Sequence, residues 1–455
     1  MNADLLDKYN VPVPRYTSYP PANYFNEAFT AHDYREAIEK SNTSSPSHIS
    51  FYLHMPFCKR LCHYCGCNAY PISKKDKMEQ YISALHKEID MVVKLLDKKR
   101  NIAQIHYGGG TPTAIPVHHL KELNEHLLSA FSHIENPEIA IECHPGYVDG
   151  EYWEGLIDAG FNRFSLGIQD FNEKVLKTVN RKPSLLPTSE IFNILRKSNA
   201  KINMDFIYGL PFQTPESFTE TISEAISFAP DRLVTFSYAH VPWVNKHQMI
   251  LERAGLPASD VKNKMYEYAT DLLKSDGYKA IGLDHFVKEE DELYTALQDG
   301  RLHRNFQGYC TRRTTGQVYA FGVTGISQLC NAYSQNSKDI TEYINAISNG
   351  DFPIIKGYSL NEEEQITREV IEALMCNYSL KWETMANSLN KPIHDIQCAI
   401  GYNEEKLREF EKDGIIQFDD KEIRMTHEGR LFVRNVAASM DKLMVNSQKT
   451  FSKPV

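Results

Sequence analysis

Short apolar runs of six to eight residues alternate with stretches of helical periodicity over the first half of the chain. Strands of a parallel sheet are buried on both faces, so their sequences read as such continuous apolar runs. The runs are ISFYLHM (49–55), IAQIHY (102–107), EIAIEC (138–143), RFSLGIQ (163–169), INMDFIYG (202–209) and RLVTFSYA (232–239). Between the first two runs, apolar residues from Met78 to Leu96 recur at alternating steps of four and three, which predicts one buried helical stripe.

Six strand-helix units in succession predict a parallel sheet with right-handed crossovers, either doubly wound or curled into a full or partial barrel. In both arrangements, chemistry collects at the carboxyl ends of the strands. Unusual residues stand at those ends. A cysteine-rich loop follows the first run, GGGTPT (108–113) follows the second, Glu142 and Gln169 close the third and fourth, and YGLP (208–211) closes the fifth.

The composition changes beyond about residue 350. Asn361, with Glu364 three positions later, predicts a capped helix start, and the segment 414–426 predicts a hairpin turning at Asp419 and Asp420. Helices with a hairpin indicate a small winged-helix-like domain. Because this segment lacks a dense basic face, a lid or scaffold role is favoured over reading nucleic acid.

The 455 residues carry a formal charge of -9 and a pI near 6.0, which provide no overall field to gather nucleic acid or anionic membrane. The N-terminal residues contain no continuous apolar stretch, and no window approaches the length of a membrane span. The expected location is therefore the cytoplasm, where clustered thiols bind metal or do redox chemistry rather than form disulfides.

Four of the nine cysteines lie within ten residues, in CKRLCHYCGC. Cys58, Cys62 and Cys65 have the spacing C-x3-C-x2-C, and Cys67 follows two residues later. Three thiolates from one loop can hold three irons of a cubane 4Fe-4S cluster and leave the fourth iron open. A structural zinc site remains an alternative, although it usually needs a second ligand pair, and inert buried thiols are another.

The segment YLHMPFCKRLCHYCGCN resembles the cluster loop of radical S-adenosylmethionine (SAM) enzymes, and specifically of the oxygen-independent coproporphyrinogen III oxidase family. The resemblance extends over nearly the whole chain. It includes PRYTSYPPA (14–22), FNRFSLGIQDFN (161–172), NMDFIYGLPFQT (203–214), YAHVP (238–242), GLDHF (282–286), LHRNFQGY (302–309) and EGRLFVRN (428–435). It implies an α/β fold, a partial (β/α)6 TIM-like radical SAM barrel with an N-terminal extension and a small, mostly helical winged-helix-like C-terminal domain.

The resemblance implies a radical SAM oxidoreductase of haem biosynthesis. Such an enzyme uses a 5'-deoxyadenosyl radical to convert two propionates of coproporphyrinogen III to vinyl groups, giving protoporphyrinogen IX. Two alternatives stay open: a related haem chaperone, and a radical SAM enzyme that acts on haem. Relatives of the chaperone type generally lack a cysteine at the position of Cys67, so its presence favours the oxidase.

The family's functional positions fall on a defined set of residues in this chain. By resemblance, Cys58, Cys62 and Cys65 ligate the 4Fe-4S cluster, and SAM, two molecules per turnover, binds the strand ends. The implied SAM contacts are Tyr52, Gly108, Gly109, Thr111, Glu142, Gln169, Arg181, Asp205, Tyr238 and Ala239. The implied catalytic residues are Cys67, His54, Phe306 and Gln307. Arg15, Arg163, Arg181 and Arg304 are candidates for holding substrate carboxylates, because guanidinium groups fork onto them.

The expected domains are an N-terminal extension (1–45) that covers the active site, the barrel with its extension (46–350) and the C-terminal domain (351–455). We further hypothesise that PRYTSYP folds over the cavity as a gate. The resemblance implies a monomer that receives electrons from a donor such as flavodoxin or ferredoxin, with no nucleic-acid or membrane partner.

Overall fold

A computed structural model of the chain describes Leu5, residues 8–72, 75–243, 245–311 and 317–445, and Ser447, Lys449 and Phe451. The outermost residues of the predicted N-terminal extension and C-terminal domain, 1–4 and 452–455, lie outside the described residues. The strands are β1 Ile49–Met55, β2 Phe57–Cys58, β3 Tyr70–Pro71, β4 Ile102–Gly109, β5 His133–Cys143, β6 Arg163–Gln169, β7 Lys201–Tyr208, β8 Arg232–Ser237, β9 Lys279–Ile281, β10 His285–Val287, β11 Leu302–Asn305, β12 Gly308–Thr311, β13 Val318–Phe321, β14 Ile326–Gln328, β15 Ala332–Asn336, β16 Ile354–Ser359, β17 Ser379–Lys381, β18 Ile416–Phe418 and β19 Glu422–Met425.

The α-helices described in full fill the gaps between the strands and build the C-terminal region. They are α1 Ala31–Ser41, α2 Lys75–Val93, α3 Val117–Ala130, α4 Gly150–Asp158, α5 Glu173–Thr178, α6 Thr188–Arg196, α7 Pro215–Ser227, α8 Met249–Ala254, α9 Ser259–Ser275, α10 Glu292–Gln298, α11 Ile340–Asn349, α12 Glu362–Asn377, α13 Trp382–Leu389, α14 Ile393–Ala399, α15 Glu404–Lys412 and α16 Val433–Ala438. Among the described residues, no helix combines the length and the apolar composition that crossing a membrane requires.

One large sheet organises the molecule, in the strand order β16-β15-β14-β13-β1-β4-β5-β6-β7-β8-β10-β9. The six predicted strands are β1 and β4 to β8, and each pairs in parallel with the next along the chain. The predicted α/β fold is therefore confirmed. A seventh parallel strand, β13, pairs with β1 and was not predicted, because its four residues are too short to stand out as a run.

The apolar stripe of α2 explains how the helices cover the sheet. Ile82, Leu85, Ile89 and Val92 are each 3% exposed or less, and they belong to the main core between the helices and the strands. Burial of such side chains contributes roughly 1.5 to 3 kcal/mol each. The 3.6-residue periodicity thus predicted the buried face correctly.

The C-terminal region has the predicted elements. Asn361 Oδ1 accepts a hydrogen bond from the Glu364 amide, and the Asn361 amide donates one to Glu364 Oε2, so the capping box that starts α12 is confirmed. The antiparallel pair β18 and β19 forms the predicted hairpin, and β17 joins it as a third strand. After the hairpin, a 3-10 turn, Glu428–Phe432, leads into α16. Strand β16, which ends at Ser359, still belongs to the large sheet.

The N-terminal segment 9–25 packs into the core of the C-terminal region. Tyr9, Tyr16, Tyr19 and Phe25 share a hydrophobic cluster with side chains of α12 to α16. The Tyr16 and Tyr19 hydroxyls both donate to the carboxylate of Asp441, over 2.9 and 3.1 Å. The two ends of the chain therefore form one packing unit.

A polar layer, which we call the ion layer, lies inside the barrel and consists of Gln104, Glu138, Arg163 and Asn203. Gln104 Nε2 donates to Glu138 Oε1 over 2.7 Å, and Arg163 donates to Glu138 Oε2 over 2.5 Å and to Asn203 Oδ1 over 3.1 Å. Although burial raises the pKa of Glu138, the charges of Arg163 and Arg232 outweigh it and lower the pKa to about 2. The ion layer is thus a paired and hydrogen-bonded network, as buried charge requires.

The ion layer predicts a specific pH dependence of stability. Because the pKa of Glu138 is about 2 when folded and near 4.5 when unfolded, its contribution, about 3 kcal/mol, is present above pH 4.5 and lost as the pH falls toward 2. We expect Glu138→Gln to lower the free energy of unfolding in urea at pH 7, with a gap to wild type that narrows below pH 4.5. Glu135→Gln, an exposed change on the same strand, is the control. A gap independent of pH would contradict the assignment.

The contact between the chain ends predicts a second effect. Asp441→Ala removes the acceptor of two buried hydroxyls, each of which then costs about 1 to 3 kcal/mol. We expect a lower free energy of unfolding and faster proteolytic cleavage before residue 26. Asp420→Ala, in an exposed turn, is the matched control. Equal stability of the two variants would show that Asp441 does not hold the N-terminal segment.

Candidate active site

The cysteine loop runs from β2 to β3 at the carboxyl end of β1. Cys58 and Cys62 are buried, Cys65 is half-buried and Cys67 is exposed; all four are free thiols. Segments from other parts of the barrel hold the loop in place. The amide of His63 donates to the Val179 carbonyl over 2.9 Å, and Asn180 Nδ2 donates to the Leu61 carbonyl over 2.7 Å.

The thiols have unequal surroundings. Burial raises the pKa of Cys58 to about 11, although the Thr111 hydroxyl lies 3.3 Å from its Sγ. A hydrogen bond from Cys67 lowers the pKa of Cys65 to about 7, and the Cys67 amide also donates to Cys65 Sγ over 3.4 Å. Cys67 therefore already contacts the thiol of a predicted ligand.

Arg181 brings a buried positive charge to the loop. Its guanidinium donates to Cys62 Sγ over 3.6 Å, to the Tyr64 hydroxyl over 3.0 Å and to the Gly167 carbonyl. The contact places a fixed positive charge against the thiol of a predicted cluster ligand. Arg181 thus contacts the cysteine loop directly, beyond the SAM contact that the resemblance implies.

The cysteine loop opens into a cavity of about 350 Å³ at the mouth of the barrel. The cavity brings together most of the predicted site residues from separate strand ends. Those that line it are Cys58, Cys62, Cys65, Cys67, Gly109, Thr111, Glu142, Gln169, Arg181, Asp205 and Gln307. Residues more than 200 positions apart in the chain therefore face one space.

The strand ends supply acceptor groups to this cavity. Glu142 Oε1 lies 3.2 Å from His106 Nε2, and Asp205 accepts a hydrogen bond from the Ser165 hydroxyl over 2.8 Å. Burial raises the pKa of Asp205 to about 6. Among the described residues, the buried Gln169 Oε1 has no hydrogen-bond partner. Such groups suit a ligand that carries ammonium, amine and hydroxyl donors.

The glycines of GGGTPT make room for protein side chains. A Cβ at Gly108 would lie 2.7 Å from Glu142 Oε1 and 3.0 Å from the Tyr52 ring. At Gly109, whose φ is +110°, a Cβ would lie 2.6 Å from the His54 ring. The missing side chains therefore let three other predicted site residues pack closely on β4.

Tyr52 and His54 stand one layer behind the cavity, on β1. The Tyr52 hydroxyl lies 3.2 Å from His54 Nδ1, and its ring stacks on His106 at 5.9 Å. His54 Nε2 lies 3.2 Å from the Asn68 carbonyl in the cysteine loop. Burial lowers the pKa of His54, which favours the neutral ring.

Three predicted residues lie away from the cavity lining. Tyr238 packs in a small cluster with Val175 and Leu251, and Ala239 follows it in the chain. Phe306 packs on Tyr333 toward the C-terminal core, whereas its neighbour Gln307 lines the cavity. The structure thus separates the predicted pair Phe306 and Gln307.

The structure adds cavity residues that were not predicted as site residues. They are Gln104, His106, Glu138, Ser165, Asn203, Arg232, His285, Asn305 and Tyr309. Arg163, which was predicted only as a candidate for holding a substrate carboxylate, also lines the cavity. Most occupy every second position of a parallel strand, for example Glu138 and Glu142 on β5. A search for polar residues at a period of two within the apolar runs would have found them.

The thiol set fits a polynuclear cluster. Three free cysteines of one short loop share a cavity with Arg181 and with the unpartnered Gln169 Oε1. Within the described ranges, no three histidine, cysteine, aspartate or glutamate side chains gather tightly enough to hold a single metal ion. Cys58, Cys62 and Cys65 line one cavity, and three thiolates from one loop are a ligand set for an iron-sulfur cubane.

Comparisons with known proteins agree with this geometry. A family model described as the Radical SAM superfamily matches residues 52–225, and one described as the HemN C-terminal domain matches residues 360–432. The protein named oxygen-independent coproporphyrinogen III oxidase from Synechocystis sp. is 37% identical over 458 residues, covering 100% of this chain and 98% of that protein. Its namesake from Escherichia coli is 36% identical, covering 96% and 94%.

A solved structure has the same fold. It is described as "Coproporphyrinogen III oxidase (HemN) from Escherichia coli is a Radical SAM enzyme", and it matches with a TM-score of 0.85 and 34% identity. The match covers 94% of this chain and 97% of that one. The predicted radical SAM barrel with its C-terminal domain is thus confirmed, and the chain belongs to the oxygen-independent coproporphyrinogen III oxidase family of the radical SAM superfamily.

Proposed function

We propose that this protein is the oxidoreductase that decarboxylates two propionates of coproporphyrinogen III to vinyl groups without oxygen, giving protoporphyrinogen IX for haem biosynthesis. One observation carries the proposal: in a chain of this family, the three-thiol loop and the polar strand ends face a single cavity. Binding by side chains from several strands is how a barrel positions two reactants for one reaction.

Cys58, Cys62 and Cys65 hold the 4Fe-4S cluster in this proposal. When bound, the cluster and SAM together supply an electron and a carbon radical that removes hydrogen from the substrate. The protein's part is to hold SAM and exclude water. Glu142, Gln169 and Asp205 accept hydrogen bonds from SAM. Gly108, Gly109, Thr111, Tyr52, Arg181, Tyr238 and Ala239 complete the proposed SAM set.

Cys67, His54 and Gln307 are assigned to the reaction on the substrate. Support comes from the exposure of Cys67 and from Gln307 in the cavity wall. His54 acts as a positioning residue, because its ring joins Tyr52 to the Asn68 carbonyl behind the thiol loop. Phe306 anchors the hairpin that carries Gln307 to the C-terminal core.

The proposed division into domains follows from packing. The N-terminal extension and the C-terminal domain act together as a cover, since residues 9–25 share a core with α12 to α16. The proposed gate PRYTSYP belongs to this cover. We place the protein in the cytoplasm as a monomer, with reducing equivalents supplied by a flavodoxin or ferredoxin.

Anaerobic incubation of reconstituted protein with SAM, a reductant and coproporphyrinogen III tests the proposal. We expect vinyl product, released CO2 and 5'-deoxyadenosine in fixed proportion. Cleavage of SAM without vinyl product, together with retained haem, would instead identify a haem chaperone. Consumption of haem itself would identify an enzyme that acts on haem.

Two cysteine variants separate cluster binding from turnover. Cys58→Ser is expected to lose the brown chromophore and all activity, because two thiolates cannot hold the cluster. Cys67→Ser is expected to keep the chromophore and lose turnover by roughly a hundredfold or more, as removal of a group that acts on substrate does. Iron content, visible absorbance and product formation are measured for both.

Cys398→Ser is the control for these variants, because Cys398 is exposed and lies in α14, outside the cavity. It should match the wild type in iron content and in turnover. A fully active Cys67→Ser protein would remove the reason for preferring an oxidase over a chaperone.

A further inference from the structure

The motif GLDHF (282–286) lies at the cavity, and its residues have no part in the function proposed above. His285 begins β10, which pairs antiparallel with β8, and its ring lines the cavity. The amide of Thr235 donates to the Asp284 carbonyl over 2.8 Å and ties the turn to β8. In the sheet order, β10 is six strands from β1, which carries the cysteine loop.

Asp284 sets the orientation of the His285 ring. His285 Nδ1 lies 2.6 Å from Asp284 Oδ1, so the Nδ1 hydrogen is committed to that carboxylate. Although burial alone raises the pKa of Asp284, the positive charge of His285, then of Arg304 and Arg15, lowers it below its ordinary value. The carboxylate is therefore ionised and accepts the hydrogen on Nδ1 of the ring.

The other ring nitrogen of His285 is left for a ligand. Among the described residues, Nε2 has no hydrogen-bond partner, and it stands in front of Gly308. A Cβ built on Gly308 would lie 3.4 Å from Nε2, in ordinary van der Waals contact, so the glycine adds no side chain to the space beside that nitrogen. GLDHF and RNFQGY, two motifs distant in the chain, thus meet at this nitrogen.

Aromatic and cationic groups surround the His285 ring. The Tyr309 ring meets it edge-on at 5.2 Å and packs where a side chain on Gly282 would otherwise stand. The guanidinium of Arg304 lies 4.9 Å from the Tyr309 ring, and Phe236, 42% exposed, meets His285 at 6.4 Å. This wall combines apolar ring faces with positive charge, which suits a flat apolar molecule that carries carboxylates.

Resting on the function proposed above, we propose that His285, oriented by Asp284, donates its Nε2 hydrogen to a propionate carboxylate of the tetrapyrrole substrate. The imidazole then lies as a cation between two carboxylates, one from Asp284 and one from the substrate. No covalent bond changes; binding takes up one proton from solvent where the ring was neutral. His285 is thus a substrate-binding residue, and Asp284 is a positioning residue.

SAM also carries a carboxylate, and the experiment has to distinguish the two sources. Tyr238 and Ala239 of the proposed SAM set follow β8, which pairs with β10, so position in the sheet does not distinguish the two carboxylates. The tetrapyrrole is favoured because the aromatic rings of Tyr309 and Phe236 flank His285, which suits a flat apolar molecule.

Binding of coproporphyrin III, the fluorescent oxidised form of the substrate, is measured with the reconstituted protein under anaerobic conditions. We expect His285→Gln to raise the Kd roughly ten- to a hundredfold, as loss of a charge-assisted hydrogen bond does. Asp284→Asn should raise the Kd less than His285→Gln does, because the His285 imidazole stays in place. The tetramethyl ester of the same porphyrin should bind both variants as it binds wild type.

Controls separate this inference from folding and from the proposed function. His32→Gln, on the exposed face of α1, should match the wild type throughout. Iron content and the KM for SAM in 5'-deoxyadenosine formation without tetrapyrrole should be unchanged in the His285 and Asp284 variants.

Three results would overturn the inference: unchanged porphyrin binding in His285→Gln, equal losses for the acid and the ester, or a raised KM for SAM alone. If His285→Gln does not fold, the test uses Asp284→Asn instead. Its Kd values for the porphyrin acid and for the tetramethyl ester are then compared with those of wild type. Failure of the proposed function looks different, because wild-type protein would then form no vinyl product at all.

Discussion

The alternation of side chains along the parallel strands is the constraint on which the rest of the structure depends. Every second residue of β4 to β8 faces the inside of the barrel. Polar side chains at these positions must fill the interior and also find hydrogen-bond partners there. Gln104, Glu138, Arg163 and Asn203 meet that demand by bonding to one another across strands. Because each polar group has a partner, the barrel can have a charged interior below an open cavity without a large penalty.

The same alternation explains how a polar cavity forms above the ion layer. Farther along the strands, Glu142 and Asp205 each have one side-chain partner, His106 and Ser165, and also line the cavity. At this level, not every polar group has a hydrogen-bond partner within the protein. Among the described residues, Gln169 Oε1 is an example. The transition from paired to available polar groups marks where packing ends and ligand binding begins.

Much of this arrangement could be predicted from the sequence, because its signals are local. Apolar runs located the six strands, and the spacing of Cys58, Cys62 and Cys65 drew attention to a loop that lines the cavity. The polar interior was missed, since Glu138 and Arg163 each look like an isolated charge beside an apolar run. The contact of Tyr16 with Asp441 could not be predicted, because it joins residues 425 positions apart and leaves no periodic trace. The need for glycine at position 108 could not be predicted either, because Glu142 and Tyr52, whose side chains approach it, come from other strands.

The shared core of residues 9–25 and helices α12 to α16 has a consequence for biogenesis. Residues 9–25 leave the ribosome long before α12 to α16, with which they pack, have been made. Until then the tyrosines of this segment lack the side chains of α12 to α16, and the hydroxyls of Tyr16 and Tyr19 lack the carboxylate of Asp441. The strands of the large sheet, all of which precede α12, can therefore form before residues 9–25 reach their final packing.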